Sequence, residues 1–285
     1  MIFSFIQQHA EEWPVSVMCE ILGVSTQGYY AWRTRPDSAQ QLRREALLVE
    51  IRAVHAETKQ RYGSPRIHAE LRQGRDVACC VNTVAKLMRD DGVRAKSARK
   101  FRNTTDSNHS LPVAENILDR QFEAQNPNER WVADITYIPT REGWLYLAAV
   151  EDLYSRMVVG WSMADNLESR IVVDALQMAV TQRFPGEGLL AHSDRGSQYA
   201  SDHYQRLLGR HGIECSMSGV GQCWDNAPME SFFASLKKEL IHHEDYQTRS
   251  EAKASIFEYI ETFYNPKRRH SSLGYLSPAD FEKAG

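Results

Sequence analysis

The chain has 285 residues, 42% hydrophobic and 25% charged, with a net charge of −3. That suits a globular protein with one sizeable core and one or two small modules, and it offers no apolar run of about 18 residues to span a bilayer. The first residues carry Glu11 and Glu12 and lack a basic leader, which excludes a secretory signal, and the five cysteines form no CxxC pair, which points to reduced cytosolic thiols. The charge is uneven: residues 1–103 carry net +6 and residues 104–285 net −9. The basic half is the candidate phosphate-binding half.

In chain order, residues 2–12 read as a short helix stopped near Pro14. A helix through Val17, Ile21 and Leu22, a turn at Gly23, an N-cap at Ser25 and a second helix with Tyr29, Tyr30 and Trp32 make a helix-turn-helix pattern. A plain helical hairpin has the same pattern. Thr26 and Gln27, at the start of the second helix, are the candidate DNA contacts of a module over 1–36. A second three-helix module over 37–102 follows. It has an amphipathic helix through Leu47, Ile51 and Val54, a helix from Ser64-Pro65, and a helix from Asn82 to Gly92 carrying Lys86 and Arg89. Beyond it Arg94, Lys96, Arg99, Lys100 and Arg102 form a polar basic tail, which lies along a phosphate backbone or is a solvated linker. His55, His68, Cys79 and Cys80 lack zinc-ligand spacing.

Residues 103–128 are rich in Asn, Ser and Thr and read as a linker. The period then changes. RWVADITYI, WLYLAAVEDLY and RMVVGWSM are three strands, followed by a helix, the strand LLAHSD, a helix, the strand IECSMS and a last helix over NAPMESFFASLKKEL. This is the element order of a ribonuclease H-like α/β core, a mixed five-stranded sheet flanked by helices, placed at 129–245. A C-terminal helix and basic tail follow at 246–285.

Three acids stand in apolar surroundings: Asp134 within the first strand, Asp194 at the end of the fourth, and Glu230 on the last helix. Thirty-five residues separate Asp194 from Glu230. Each alone could be a cap, a turn residue or half of an ion pair. Together they can meet only in the fold, and converging carboxylates require cations, for which an all-oxygen set selects Mg²⁺ or Mn²⁺. Two such ions per site would activate a nucleophile and stabilise a leaving oxygen, with Asp134 bridging, Asp194 on one and Glu230 on the other. Lys237 shares Glu230's helix face, with Lys238 beside it. His192, Gln198 and Asn226 are expected to support the acids, and Asp152, at the end of the second strand, either does so too or is a structural acid. Lys267, Arg268 and Arg269 suggest a basic clamp on DNA, with an ordinary solvated turn as the other reading.

The words WVADITYI, HSDRGSQY, DNAPMESFF and YNPKRRHSSLGYLSP resemble, in order, those of the second-reading-frame transposases of insertion-sequence family three. The resemblance covers nearly the whole chain. It implies a retroviral-integrase-like core with an Asp, Asp, Glu triad that cuts and joins double-stranded DNA at element ends and target, with a basic residue at position 237. It further implies homo-oligomers on DNA and an upstream-frame product, carrying its own DNA-binding helices and zipper, joined by frameshifting. This chain has no sustained heptads and opens straight into a helix, as though continuing something upstream. The expected setting is the bacterial cytoplasm, at the nucleoid. The rival readings are a ribonuclease H-like nuclease without strand transfer and a non-catalytic DNA-binding repressor.

Overall fold

Helices α1 (Ile2–Gln8), α2 (Val15–Ile21) and α3 (Thr26–Thr34) close on a small core of Ile6, Met18, Cys19 and Tyr29. Gly23, at φ +67°, takes the left-handed turn out of α2 that a side chain would strain, and Ser25 caps α3 by accepting the Gly28 N–H at 3.0 Å. The chain is seen in a computed structural model that describes residues 2–96, 113–219 and 223–285.

The second unit begins with α4 (Ala39–Glu57), which buries Leu47, Ile51 and Val54 at helical spacing. They face α5 (Ser64–Ala69), its π-helical continuation Glu70–Gly74, and α6 (Val81–Asp90), through Ile67, Leu71, Val84 and Met88. Two caps differ from expectation. Gly63, not Ser64, is the cap of α5, and Cys80 precedes α6, so Asn82 lies inside its helix. Pro65 tolerates the first turn because its missing N–H would have had no partner there.

The five strands are β1 (Arg130–Thr140), β2 (Gly143–Asp152), β3 (Val158–Ala164), β4 (Leu190–Ser193) and β5 (Glu214–Met217). They lie in the order β3-β2-β1-β4-β5, with the first two pairs antiparallel and the last two parallel. Helix α7 (Arg170–Arg183) covers one face through Ile171, Val172, Ala175, Leu176 and Ala179, with α8 (Asp202–Arg210) beside it. At Gly160 an added Cβ would stand 2.3 Å from the Ala175 carbonyl oxygen, so only glycine admits this helix–strand approach. The other face carries α9 (Ala227–Glu239) and α10 (Arg249–Glu258). Helix α10 continues as a π-helical turn over Tyr259–Tyr264, and α11 (Pro278–Ala284) ends the chain.

Two features depart from the reading of separate beads on a string. The stretch from Val113 lies against the sheet edge, where the Ile117 and Leu118 N–H groups donate to Ser216 Oγ and Arg120 pairs with Asp225. More consequentially, the apolar interior of α4–α6 is continuous with that beneath α9 and α10. One cluster runs from Leu47, Ile51 and Ile67 through Tyr259 and Phe263 to Val132 and Met229. Among the described residues no helix is long and apolar enough to cross a membrane.

Candidate active site

Successive residues of a strand face opposite sides, so Val132, Asp134, Thr136 and Ile138 of β1 share the α9 side of the sheet. In the parallel pairing, Val132 lies opposite His192 and Ala133 opposite Ser193. Asp194 is the next residue, and it therefore leaves β4 on the same side as Asp134, at the C-terminal end of the parallel strands. Helix α9 crosses this face with Met229, Phe232, Phe233 and Leu236 buried against it, which brings Glu230 on its first turn toward both aspartates. All three acids are half-buried.

Their electrostatics show the convergence. The Asp134 carboxyl is pushed well above the usual carboxylate range, first by burial and then by the charges of Asp194 and Glu230. The Ile135 N–H, donating at 2.7 Å, and the Lys237 ammonium oppose that shift. Glu230 is also raised, by burial. Burial lowers the Lys237 ammonium, and the Asp134 charge works against that lowering; its Nζ lies 5.1 Å from the centre of the Tyr137 ring. Seven residues, two helical turns, separate Glu230 from Lys237, so both project from one face of α9. As placed, no group of three His, Cys, Asp or Glu side chains among the described residues is closed to metal-ligand distances.

The supporting residues divide. Asn226, at the start of α9, donates from Nδ2 to the Ala133 carbonyl at 3.1 Å, which ties the helix to β1 beside Asp134. Its Oδ1 is buried with no hydrogen-bond partner among the described residues. Gln198 lies alongside Asp194: a Cβ on Gly196 would stand 3.0 Å from Asp194 Oδ1 and 3.1 Å from Gln198 Oε1. His192 is fully buried between Ser216 Oγ at 2.8 Å and Ser218 Oγ at 3.1 Å, and burial pushes it down to about 4, so it is neutral at pH 7. It fastens β4 to β5 behind the acids. Of the two readings of Asp152 the structural one fits its contacts: opposite Trp131, on the other face of the sheet from Asp134, it accepts from the Asn128 and Tyr154 N–H groups at 2.8 and 2.9 Å and lies 3.5 Å from Arg183.

Of the candidate DNA contacts, Thr26, Gln27, Lys86, Arg89, Lys238 and Lys267 are exposed, while Arg99 and Lys100 lie outside the described residues. Arg268 and Arg269 overturn the expectation of a basic clamp. Arg268 is buried in an ion pair with Glu239 at 2.7 Å, and Arg269 pairs with Glu70 at 2.6 Å. Both guanidiniums are consumed inside the molecule. Sequence reasoning also missed Tyr199, whose buried hydroxyl has no partner among the described residues and is raised by burial and by Asp134 and Asp194. Its only signal was its place at the end of HSDRGSQY.

A mixed five-stranded sheet of ribonuclease H-like order behind helical modules is the architecture of an integrase-type polynucleotidyl transferase. "Integrase core domain" models match residues 124–223 and 230–284, and an "HTH-like domain" model matches 42–101. The chain is 46% identical over 285 residues to "Transposase InsF for insertion sequence IS3A" of Escherichia coli strain K12, covering 99% of this chain and 98% of that one. It is 44% identical over 271 residues to an uncharacterized 31 kDa protein of insertion element IS600 from Shigella sonnei, covering 93% and 97%. It belongs to the IS3 family of insertion-sequence transposases and is a DNA transposase. Among solved structures it is similar to a chain of the simian T-cell lymphotropic virus intasome, at 13% identity and a TM-score of 0.47, covering 81% of this chain and 74% of that one.

Proposed function

We propose that Asp134, Asp194 and Glu230 are the catalytic acids and hold two divalent cations, Mg²⁺ or Mn²⁺, for cleavage and strand transfer at element ends. The observation that carries this is the placement of Asp134 and Asp194 on one face of adjacent parallel strands, with Glu230 on the first turn of the helix that covers that face; burial and the neighbouring acids raise the Asp134 carboxyl there. Three hard oxygen donors that repel one another fit divalent cations in both chemistry and charge. When bound, the ions supply an activated nucleophile and a neutralised leaving oxygen. The chain's own residues do the rest. Lys237, on Glu230's face, binds the phosphate presented to the acids. Asn226 keeps the start of α9 against β1, and Gln198 borders Asp194.

Thr26, Gln27, Lys86 and Arg89, exposed on α3 and α6, are proposed to engage the duplex, with Lys238, Lys267 and the basic stretch containing Arg99 and Lys100 adding phosphate contacts. The protein acts as an oligomer that pairs two ends at the bacterial nucleoid, with the product of an upstream reading frame, fused or associated, supplying end specificity. Tight, end-specific binding by this chain alone, compared on terminal-repeat and scrambled duplexes at one salt concentration, would remove that last partner.

The test of the site is transfer of a labelled 3′ end into a second duplex. Asp134→Asn, Asp194→Asn and Glu230→Gln should each abolish it while leaving DNA binding intact. Activity should require Mg²⁺ or Mn²⁺ and fail with Ca²⁺. Turnover in EDTA, or by Asp194→Asn, refutes the mechanism.

A further inference from the structure

The back of α9 is held by a buried polar network that the chemistry above does not use. Glu239 ends the helix nine residues after Glu230, about 13 Å along the axis, and about 200° around from Lys237. It therefore points away from the face that carries Glu230 and Lys237. The side chains of Glu239 and Arg268 are only 5% and 4% exposed. Arg268 donates to this carboxylate from Nε at 2.9 Å and NH2 at 2.7 Å, and also to Ser235 Oγ, one turn earlier, at 2.9 Å. The Tyr259 hydroxyl donates to the second Glu239 oxygen at 2.9 Å. A planar guanidinium gripping a helix at two successive turns fixes both its rotation and its sliding.

The same few residues bolt the helical module to the core. Tyr62 donates its hydroxyl to the Lys267 carbonyl at 3.0 Å and accepts the Arg269 N–H at 2.9 Å. Arg66 donates to the Arg269 carbonyl at 2.9 Å and reaches Glu239 itself at 3.4 Å. Burying this many charges stabilises a fold no better than apolar side chains of the same volume would. What the network adds is geometric definition, at the helix that carries one proposed ligand and the proposed phosphate lysine.

We propose that Glu239 and Arg268 are positioning residues for strand transfer: their ion pair sets the rotation of α9 so that Glu230 and Lys237 face Asp134, with the module of α4–α6 braced on the same carboxylate through Arg66. The proposal rests on the reading of Glu230 as a catalytic ligand. Its test uses the full chain. Glu239→Leu with Arg268→Met removes both charges of the pair together, a replacement that is often neutral in other buried pairs; Arg66 keeps the Arg269 carbonyl, and the Tyr259 hydroxyl loses its acceptor. Arg268→Lys keeps the charge and loses the fork.

At saturating DNA the double variant should lose single-turnover strand transfer by about 100-fold, the effect of an ångström-scale misplacement. Calorimetric Mn²⁺ affinity of the protein without DNA should weaken by about 10-fold, as when a ligand's supporting partner is removed. Amide exchange across 227–239 should quicken, while DNA affinity holds. Arg268→Lys should fall between the double variant and the wild type, and it carries the test should the double variant not fold. A purely structural role would lower the melting temperature without moving Mn²⁺ affinity or the rate per folded molecule, and that result overturns the proposal. A loss confined to DNA affinity overturns it too, since it would return 267–269 to a DNA-facing role. Glu230→Gln is measured in parallel. If it stays active, the catalytic reading itself fails. If it is inactive while the double variant works at the wild-type rate, only the positioning role fails.

Discussion

Gly196→Ala offers a direct measure of how closely the Asp194 carboxylate must be held. The Gly196 N–H donates to Asp194 Oδ1 at 2.9 Å, and a Cβ there would stand 3.0 Å from that oxygen and 3.1 Å from Gln198 Oε1. Carbon and oxygen need a few tenths of an ångström more, so both side chains must retreat. The backbone is not the obstacle, because Gly196 is not among the glycines at positive φ. Replacing glycine stabilises by about 0.4–1 kcal/mol through the unfolded chain, and the crowding offsets this, so stability should move by less than about 1 kcal/mol. Catalysis should respond more steeply. If a misplacement of about 1 Å costs on the order of 100-fold, a shift near half that costs roughly 10-fold. The assay is single-turnover strand transfer with a urea melt on the same preparation. Gly209→Ala on α8, where nothing lies within 4 Å of the added carbon, is the control and should be silent or slightly stabilising. A wild-type rate for Gly196→Ala would show that Asp194 is not held to this tolerance, and the geometric argument would fail.

Lys237→Ala should reduce strand transfer more than the same change at exposed Lys253, and should flatten the log–log salt dependence of DNA binding by roughly one unit; equal, small effects would make Lys237 an ordinary surface cation. His192 is depressed from 6.5 to about 4, so the stability it contributes is whole above pH 6.5 and drains away as pH falls toward 4, a loss of about 3 kcal/mol. Urea melts from pH 7 to 4 should show a shallower decline for His192→Gln than for the wild type, and parallel curves would contradict this. Asp152→Asn should cost about 1–3 kcal/mol, because it weakens the buried acceptor of the Asn128 and Tyr154 N–H groups while Arg183 keeps Glu282 at 2.8 Å, yet strand transfer per folded molecule should be unchanged; a selective loss of rate would place Asp152 back at the acids.

The strands, and the side of the sheet on which Asp134 and Asp194 stand, were legible in the chain because both are carried by local pattern. Period-two apolar runs fix which side of β1 Asp134 occupies, and the turn after LLAHS fixes where Asp194 leaves the sheet. The basic run at 267–269 was misread for the opposite reason. Its partners, Glu239 and Glu70, lie 29 and 199 residues away, and no local pattern tells a paired guanidinium from a solvated one. Glu239 was equally mute, sitting in KKEL like any charge at an exposed helix end. Asp152 stayed between two readings for a third reason: its position at the end of β2 was plain, but the groups that claim it arrive from Asn128 and Arg183, on separate elements. The caps at Ser64 and Asn82 missed by a residue or two because backbone conformation at Gly63 and Cys80 decided where those helices start.

The apolar interior that runs unbroken from α4 to α10 has a consequence for how this protein comes apart. A fragment beginning near residue 129 would strip Tyr259 and Phe263 of neighbours such as Tyr62, so excision of the sheet by itself should yield an aggregating species. The segments 39–96 and 130–284 should instead melt as one cooperative unit. The first 36 residues, whose Ile6, Met18, Cys19 and Tyr29 form a separate cluster with Phe3, Val15 and Val24, can be lost or exchanged without that penalty. Evolution is thus free to swap the leading module as a cassette, whereas the second can change only in step with the helix that carries Glu230.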